Sequence, residues 1–546
     1  MGLPTVNRTD PIAQTSWQSG MITSSPPEEL PTDAAQLLLN LEFDSDSNLV
    51  TRNGVELFLD TNLSNERITS LFRAQYSDGT VFIYFTAGTE LYRCTEAGAS
   101  LTTITGGLTL PDDVFWQWVM FDDFAIGTNG TEPIKVNSSG TASLLNASAP
   151  DANYCEVWNS RLWLSGVGDE GNTIFGSAIN DPEDWTVDDD AGAIVLGIDI
   201  GDGDFITGIK ALREALFVYK RRKINIVSAI SSPATIPTNL RTDIYTSNIG
   251  CESAWSIQNV LDDQLFLSAL GIVSLSLAPL GELKGAIVSE NIAELSLLKK
   301  NTDEIPSLVL DDMNQYWISI PSTISDSGLN EVWVLDYQKI NQRDEKGFPI
   351  VRWVKFNGLV AGTAYCEKLD GDYKSYLIAT YPIASTDTNI YQYTPNDPDK
   401  LFSDNGVSYT QDLLTKAYIG TSSLLRSLWV RFGLALKLFS ETLNLNVNYF
   451  FDNKRTSAGS YGFIISGTAS STSLYGTALY GTATWASISD LDTERTIWRS
   501  VRKNGSGRKA RTFTLGIRCN TVEQGFIFKF IQIEQTPLNF RRARSN

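Results

Sequence analysis

The sequence predicts an all-β protein: a β-propeller of six to eight blades, a C-terminal β-sandwich-like domain and an extended N-terminal arm. Three observations predict it. Aromatic side chains, which favour strands, are abundant, with 13 Trp, 20 Tyr and 25 Phe in 546 residues. Helical periodicity is almost absent. Between about residues 75 and 395 a hairpin theme recurs, with starts roughly 40 to 60 residues apart, a spacing that brackets the blade repeat of a propeller. A twisted four-stranded sheet buries its faces only against neighbouring copies, so such a repeat continues until a ring closes.

Taken in order, residues 1–45 read as the arm, 46–400 as the propeller and 401–546 as the C-terminal β-domain. The arm rests on the Pro-rich start of PPEELPTDAAQLLLNLEF. The hairpins are VFIYFTAGTELYRC (81–94), DDFAIGTNGTEPIKV (122–136), SRLWLSGVGDEGNTIFGS (160–177), EALFVYKRRKINIVS (214–228), DQLFLSALGIVSLS (263–276), QYWISIP with EVWVLDY (315–337), and SYLIAT with NIYQYT (375–394). One short helix is expected over 289–301, capped by Ser289, with Ile292, Leu295 and Leu298 on one face. NDPDK (396–400) marks a boundary. Beyond it, 427–438, 443–451, 510–519 and 525–534 read as strands, and the Gly/Ser/Thr/Tyr-rich tract 457–487 reads as a loop insertion.

Composition then narrows the chemistry. Histidine is absent, which removes the Ser-His-Asp triad, the HExxH zinc site and any Cys-His pair. Only carboxylate, lysine or tyrosine chemistry remains. The five cysteines, at 94, 155, 251, 366 and 519, are scattered and make no metal or disulfide pattern; they read as small buried hydrophobes. No run of about 18 apolar residues occurs, so no membrane span is expected. The first residues lack the basic start and apolar stretch of a secretory signal, so synthesis in a cytoplasm is expected. Asn129-Gly-Thr and Asn137-Ser-Ser read as turn chemistry.

The net charge is −20, unevenly spread. Residues 497–546 carry 11 Lys and Arg against two Glu, which leaves 32 basic and 61 acidic side chains before them. An acidic body argues against tight wrapping of nucleic acid. Candidate sites have plain structural alternatives. DDDAGAIVLGIDIGDGDFITGI (188–209) is rich in the carboxylates that hard cations take, yet it lacks the spacing of a calcium loop and reads better as a turn. FWQWVMFDDF (115–124) alternates as a strand buried on both faces rather than a sugar platform. SDGT (77–80) and FSDNGVSY (402–409) are incomplete Asp boxes, and a paired-carboxylate glycosidase remains an alternative. WRSVRKNGSGRKARTF (498–513) has six basic residues and no acid; it reads as a solvated hairpin or one docked on an acidic neighbour.

The ordered strings AAQLLLNLEFDSDSNLVTRNGVELF, FDDFAIGTNGTEPIKV, VWNSRLWLSGVGDEGNTIFGSAINDPEDW and GDGDFITGIKALREALFVYKRRKINIV resemble the successive blade motifs of tail nozzle proteins of short-tailed bacteriophages. These are also called tail tubular protein B, tail hub or DNA-stabilisation proteins. The resemblance spans roughly residues 34–400 and, more loosely, the C-terminal strands. It implies a virion protein made in the host bacterial cytoplasm, a homo-oligomeric ring, usually a hexamer, mounted on the tail adaptor protein. It also implies tail fibre or tip proteins as partners and non-specific passage of double-stranded DNA. No cofactor, metal or catalytic residue is implied, and the protein is expected not to be an enzyme; the alternative is a carbohydrate-binding or carbohydrate-cleaving tail propeller. An acidic ring retains DNA by steric closure rather than adhesion. Asp188, Asp189 and Asp190 are candidate lumen carboxylates. Arg502, Lys503, Arg508, Lys509, Arg511, Arg541, Arg542 and Arg544 are candidate docking residues for a neighbour or the adaptor, and the N-terminal arm is a second candidate for lateral contact.

Overall fold

A computed structural model describes residues 10–64, 66–187, 191–230, 239–278, 286–296, 304–321, 331–340, 342, 350–370, 373–380, 387–396, 401–420, 426–439, 442–466, 495–501 and 508–537. The chain divides into two compact units. One comprises 55–334 with 358–398, and the other comprises 1–54, 335–357 and 399–546.

The first unit is a β-propeller. Six separate antiparallel sheets of three or four strands form blades. In chain order the first four run over Ile68–Gln75 to Thr102–Thr103, Gln117–Phe121 to Ala142–Leu144, Cys155–Trp158 to Ile194–Gly197, and Ile206–Leu212 to Leu240–Thr246. The fifth has three strands, from Gln258–Val260 to Gly271–Ser274. A further set, beginning with Ser307–Leu310 and Gln315–Ile320, stands between the fifth and sixth, its first strand packed against the inner strands of both. The sixth blade takes three strands from Ala364–Asp370 to Asp387–Tyr393 and its outermost strand, Val55–Ser64, from the other end of the segment. Tyr393 pairs with Val55 and Asp387 with Ser64, so the ring closes by a hydrogen-bonded ladder and not by packing alone.

Each expected hairpin supplies the second and third strands of a blade or of the set beside it. They are the most apolar strands because both of their faces are covered. The cores accordingly lie between consecutive sheets. Ile83, Phe85 and Cys94 of the first blade meet Cys366, Leu377 and Ile390 of the sixth, and Trp163 and Ile174 meet Leu216 and Val227 across the third and fourth. Each such side chain contributes about 1.5–3 kcal/mol by burial. The strand Gln117–Phe121 within the 115–124 stretch keeps the expected alternation up to the turn at Asp122-Asp123. Trp116 and Trp118, stacked at 5.5 Å, enter the core shared with the first blade, while Val119 and Phe121 pack toward the third.

Turn chemistry sets the registers. Asp122 and Asp123 (φ 49° and 60°) and Asn159 and Ser160 (φ 54° and 58°) occupy the left-handed region at both central positions, as the tight hairpin turns that match strand twist require. Asn129 Oδ1 accepts hydrogen bonds from the Thr131 amide and hydroxyl, and Asn137 Oδ1 accepts from the Ser139 and Thr141 amides. Within the described part of the expected helix, Ala293–Ser296 is helical, and Ser289 Oγ accepts from the Ile272 amide at 2.9 Å, serving a strand edge instead of a cap. Leu298 lies outside the described residues.

The second unit differs from an arm and a separate C-terminal domain. Asp10–Gln14 pairs along Phe526–Pro537, with Ile12 opposite Ile533, and Ala34–Leu39 pairs with Gln411–Thr415. Ala34, Ala35, Leu38, Leu41 and Phe43 are buried, so this stretch gains more from a sheet than from solvation. One sheet orders Arg495–Ser500, Ser427–Leu438, Phe526–Pro537, Leu49–Thr51 and Leu41–Phe43. The other places Arg352–Asn357, Ala34–Leu39, Gln411–Thr415, Thr512–Cys519, Thr442–Phe451 and Gly459–Ser466 side by side. The first part of the supposed loop insertion is therefore a strand, with Tyr461 opposite Val447 and Phe463 opposite Leu445; residues 467–494 lie outside the described set. Rings from the two sheets meet, Trp429 with Phe513 at 5.2 Å and Phe432 with Tyr461 at 6.3 Å.

Two buried ion pairs tie the three chain segments of this unit together. The fully buried Arg52 guanidinium donates to both Asp404 oxygens, at 2.9 and 2.7 Å, and to the Asn357 carbonyl, and lies 3.8 Å from the centre of the Tyr409 ring. The FSDNGVSY stretch thus supplies a structural carboxylate rather than a blade turn. Arg352 pairs with Asp336 at 2.7 Å, and there burial outweighs the guanidinium and lifts the Asp336 carboxyl above its ordinary range.

Candidate functional site

The propeller's most distinctive chemical feature is the charge of one set of turns. In a closed ring all turns between first and second strands lie on the same face. Among the described residues they carry Asp78, Asp122, Asp123, Glu214, Asp262, Asp311 and Asp312, all exposed, against one cation, Arg213. Hydrogen bonds link these turns from blade to blade. Asp123 accepts from the Ser77 amide and hydroxyl at 2.7 and 3.0 Å, Arg213 donates to the Asp262 carbonyl at 3.1 Å, and Asp312 accepts from Tyr376 at 2.6 Å. The Thr80 amide and hydroxyl hold Asp78 below the usual carboxylate range. Among the described residues, the turns between second and third strands are mixed instead, with Glu132, Asp169 and Glu170 against Arg221, Arg222 and Lys223. One face is thus persistently negative, which repels phosphates and attracts cations.

Within that face a cleft of about 650 Å³ opens beside the fourth and fifth blades. Its floor is apolar, formed by Leu212, Phe217, Ile226, Tyr245 and Leu275, and Glu214, Asp262 and Asp263 stand at its rim. Phe217 and Tyr245 meet edge to face at 5.2 Å, and burial, with Asp263, raises the Tyr245 phenol above its ordinary range. Asp263 is held by the Ser274 and Ser276 hydroxyls at 2.5 and 2.9 Å and by the Ser276 amide at 2.8 Å.

The carboxylate-rich loop at 199–204 is a clamped turn. Asp199 accepts from Lys223 and Asn225 at 3.1 and 2.9 Å, and Asp202 lies 3.0 Å from the fully buried Lys220 and 2.7 Å from Lys223. The basic KRRK turn of the fourth blade therefore consumes the charge that a cation would need, and among the described residues no group of potential metal ligands assembles. Burial pushes the Asp202 carboxyl up, but Lys223, the Asp204 amide and Lys220 together bring it down to about 2. A depressed folded-state value stabilises the fold above the unfolded value of 3.8, and this contribution is lost as pH falls through about 2. Asp202→Asn should cost about 3 kcal/mol at neutral pH, since it leaves the buried Lys220 with the Asp199 carbonyl but without its carboxylate, and should flatten the acid limb of the stability curve; urea melts from pH 2 to 7 measure both.

Of the sequence-derived candidates, Asp188, Asp189, Asp190, Arg502, Lys503, Arg541, Arg542 and Arg544 lie outside the described residues. Arg508 begins the strand Arg508–Ala510, which pairs with Ser427–Leu438. Lys509 and Arg511 are exposed, and the Arg511 amide donates to Asp452. The acids of the turn face were not read as one surface from sequence: Asp78 lies in the SDGT stretch, Asp122, Asp123 and Glu214 begin hairpins that were recognised, and Asp262, Asp311 and Asp312 fall outside them. The five cysteines are free and buried, and burial pushes the Cys94, Cys155 and Cys251 thiols up to about 12, which leaves them unreactive at neutral pH. Among the described residues no helix is long and apolar enough to cross a membrane.

No protein-family model matches the chain, and no curated protein does. Solved structures do match. The extracellular domain of a hybrid two-component system protein from B. thetaiotaomicron is 12% identical, with a TM-score of 0.41, over 87% of this chain and 62% of that one. The CNH domain of AfRom2 is 9% identical, with a TM-score of 0.37, over 62% and 99% of the two chains. Virginiamycin B lyase from Staphylococcus aureus is 12% identical, with a TM-score of 0.34, over 62% and 98%. Likenesses at this level carry no information about activity.

Proposed function

We propose that the protein is a structural virion component, the nozzle or hub ring of a short phage tail, which retains the genome and conducts double-stranded DNA during ejection. The observation that carries this reading is the negative turn face. A duplex bears one charge per about 1.7 Å of axis, so a wall of like charge does not hold it, and the strand slides. Retention then falls to loops that close the path sterically. The rest of the proposal comes from the resemblance: a hexameric ring in the virion tail, seated on an adaptor and joined by fibre or tip proteins, with no enzymatic step assigned. The basic content of 497–546 suits contacts between acidic copies or with the adaptor.

Electron microscopy and mass photometry of the purified protein test it. The expected result is closed multi-copy rings with an axial channel of roughly 20 Å or more, wider than the 12 Å major groove of the duplex it passes; single copies at micromolar concentration sink the proposal. A charge-reversed variant, Asp122→Lys with Glu214→Lys and Asp311→Lys, should gain duplex binding whose affinity falls with salt at a log–log slope of about −3, near one for each new phosphate contact. The parent protein should show none in a gel-shift titration, and tight binding by the parent would refute the like-charge wall.

A further inference from the structure

The cleft in the acidic face is both apolar and negative, a combination that selects its occupant. We infer that it receives residues 538–546 of a second copy of this chain, LNFRRARSN. The inference rests on the ring reading above, in which each copy must offer its neighbour a surface different from the one it receives.

Three features support this occupant. The floor of Leu212, Phe217, Ile226, Tyr245 and Leu275 offers aromatic and aliphatic surface, which suits Leu538 and Phe540, with the Phe217–Tyr245 edge-to-face pair as a natural seat for a third ring. The rim complements the basic residues that come after Phe540. Arg213 and Asp262, 3.6 Å apart, balance one another, so Glu214 and Asp263 remain as net negative charge facing Arg541, Arg542 and Arg544. Asp263 is held by four donors, the Ser274 hydroxyl, the Ser276 hydroxyl and amide and the Gln264 amide, so it contributes negative field, while the exposed Glu214 is the carboxylate whose two oxygens suit the planar fork of an arginine better than a lysine. The third feature is size and reach. A cleft of about 650 Å³ lies in the range that encloses a ligand of a few side chains. The nine residues that follow the strand Phe526–Pro537 can span at most about 30 Å at roughly 3.3 Å per residue, which sets the reach the docking requires.

The test uses the full chain. A photoreactive benzoylphenylalanine replaces Phe540, and isotopically light and heavy preparations are mixed before irradiation. Cross-links from 540 of one label to residues 212–217 or 262–276 of the other are expected. Their yield should fall at least about fivefold in Glu214→Gln and further in Glu214→Lys, exposed substitutions that leave the melting curve unchanged, and should fall again in about 0.5 M salt, where surface charges are screened. Cross-links elsewhere, cross-links confined to one label, or a yield indifferent to those substitutions would overturn the inference. Mass photometry of the same samples separates the two readings: rings with cross-links elsewhere refute the docking site alone, and paired copies cross-linked at the cleft but never closed refute the ring alone.

Discussion

Replacing Arg52 by alanine should unfold the second unit at a temperature well below that of the parent while leaving the propeller transition in place. The side chain is fully buried, forms a two-point pair with Asp404, and faces the Tyr409 ring at 3.8 Å. It also reaches Asn40 Oδ1 and the Asn53 and Asn357 carbonyls, so a single guanidinium joins the segments 10–54, 335–357 and 399–537. Removing it strands a carboxylate whose side chain is only 6% exposed, and breaking a buried pair in this way costs about 3–5 kcal/mol. The pair itself is a modest source of net stability, since burying both charges is expensive; its effect lies in specifying which segments meet. Arg52→Met with Asp404→Leu, which removes both charges together, should recover much of the loss. Differential scanning calorimetry of the three proteins decides the matter, and a single unshifted transition in Arg52→Ala would contradict the role given to this residue.

The second large effect is expected at Trp163. Its ring is fully buried in the core between the third and fourth blades, its Nε1 donates to the Trp158 carbonyl at 3.0 Å, and it packs over Gly176, where an added Cβ would lie 3.1 Å from the ring. Trp163→Ala should cost about 3–5 kcal/mol through the cavity it leaves, and Gly176→Ala about 1–3 kcal/mol through overpacking. Because neighbouring blades share this core, both substitutions should lower the propeller transition as a whole rather than loosen one hairpin. Hydrogen exchange would show this as lost protection extending over 155–229, and a loss confined to 161–176 would argue that the blades unfold separately.

Much of the propeller was legible in the sequence because its hairpins carry local signals. VFIYF and LWLS are continuous apolar runs of sheet buried on both faces, and Asp122-Asp123 and Asn159-Ser160 are residues that tolerate positive φ in tight turns. The first and fourth strands were harder to see. They are shorter or half exposed, as in Thr102–Thr103 and Leu240–Thr246, and their pairing lends them order that their own residues do not. The candidate site was less legible still. Asp122, Glu214, Asp262 and Asp311 look like ordinary turn acids one at a time, and only ring closure places them on a common face.

What the sequence by itself determined is the set of local choices: strands by aromatic and β-branched content, turns by Asp, Asn and Gly, burial of all five cysteines, and the exclusion of histidine chemistry by composition. What only the tertiary structure decided is which distant segments pair. Val55–Ser64 closes a blade begun some three hundred residues later, Asp10–Gln14 joins Phe526–Pro537, and Lys220 and Lys223 meet Asp199 and Asp202 in place of a cation. The reason is physical. Turn and strand propensities act over a few neighbours, whereas ladder pairing, charge neutralisation and the burial of a sheet's second face depend on surfaces that exist only once the chain has closed upon itself.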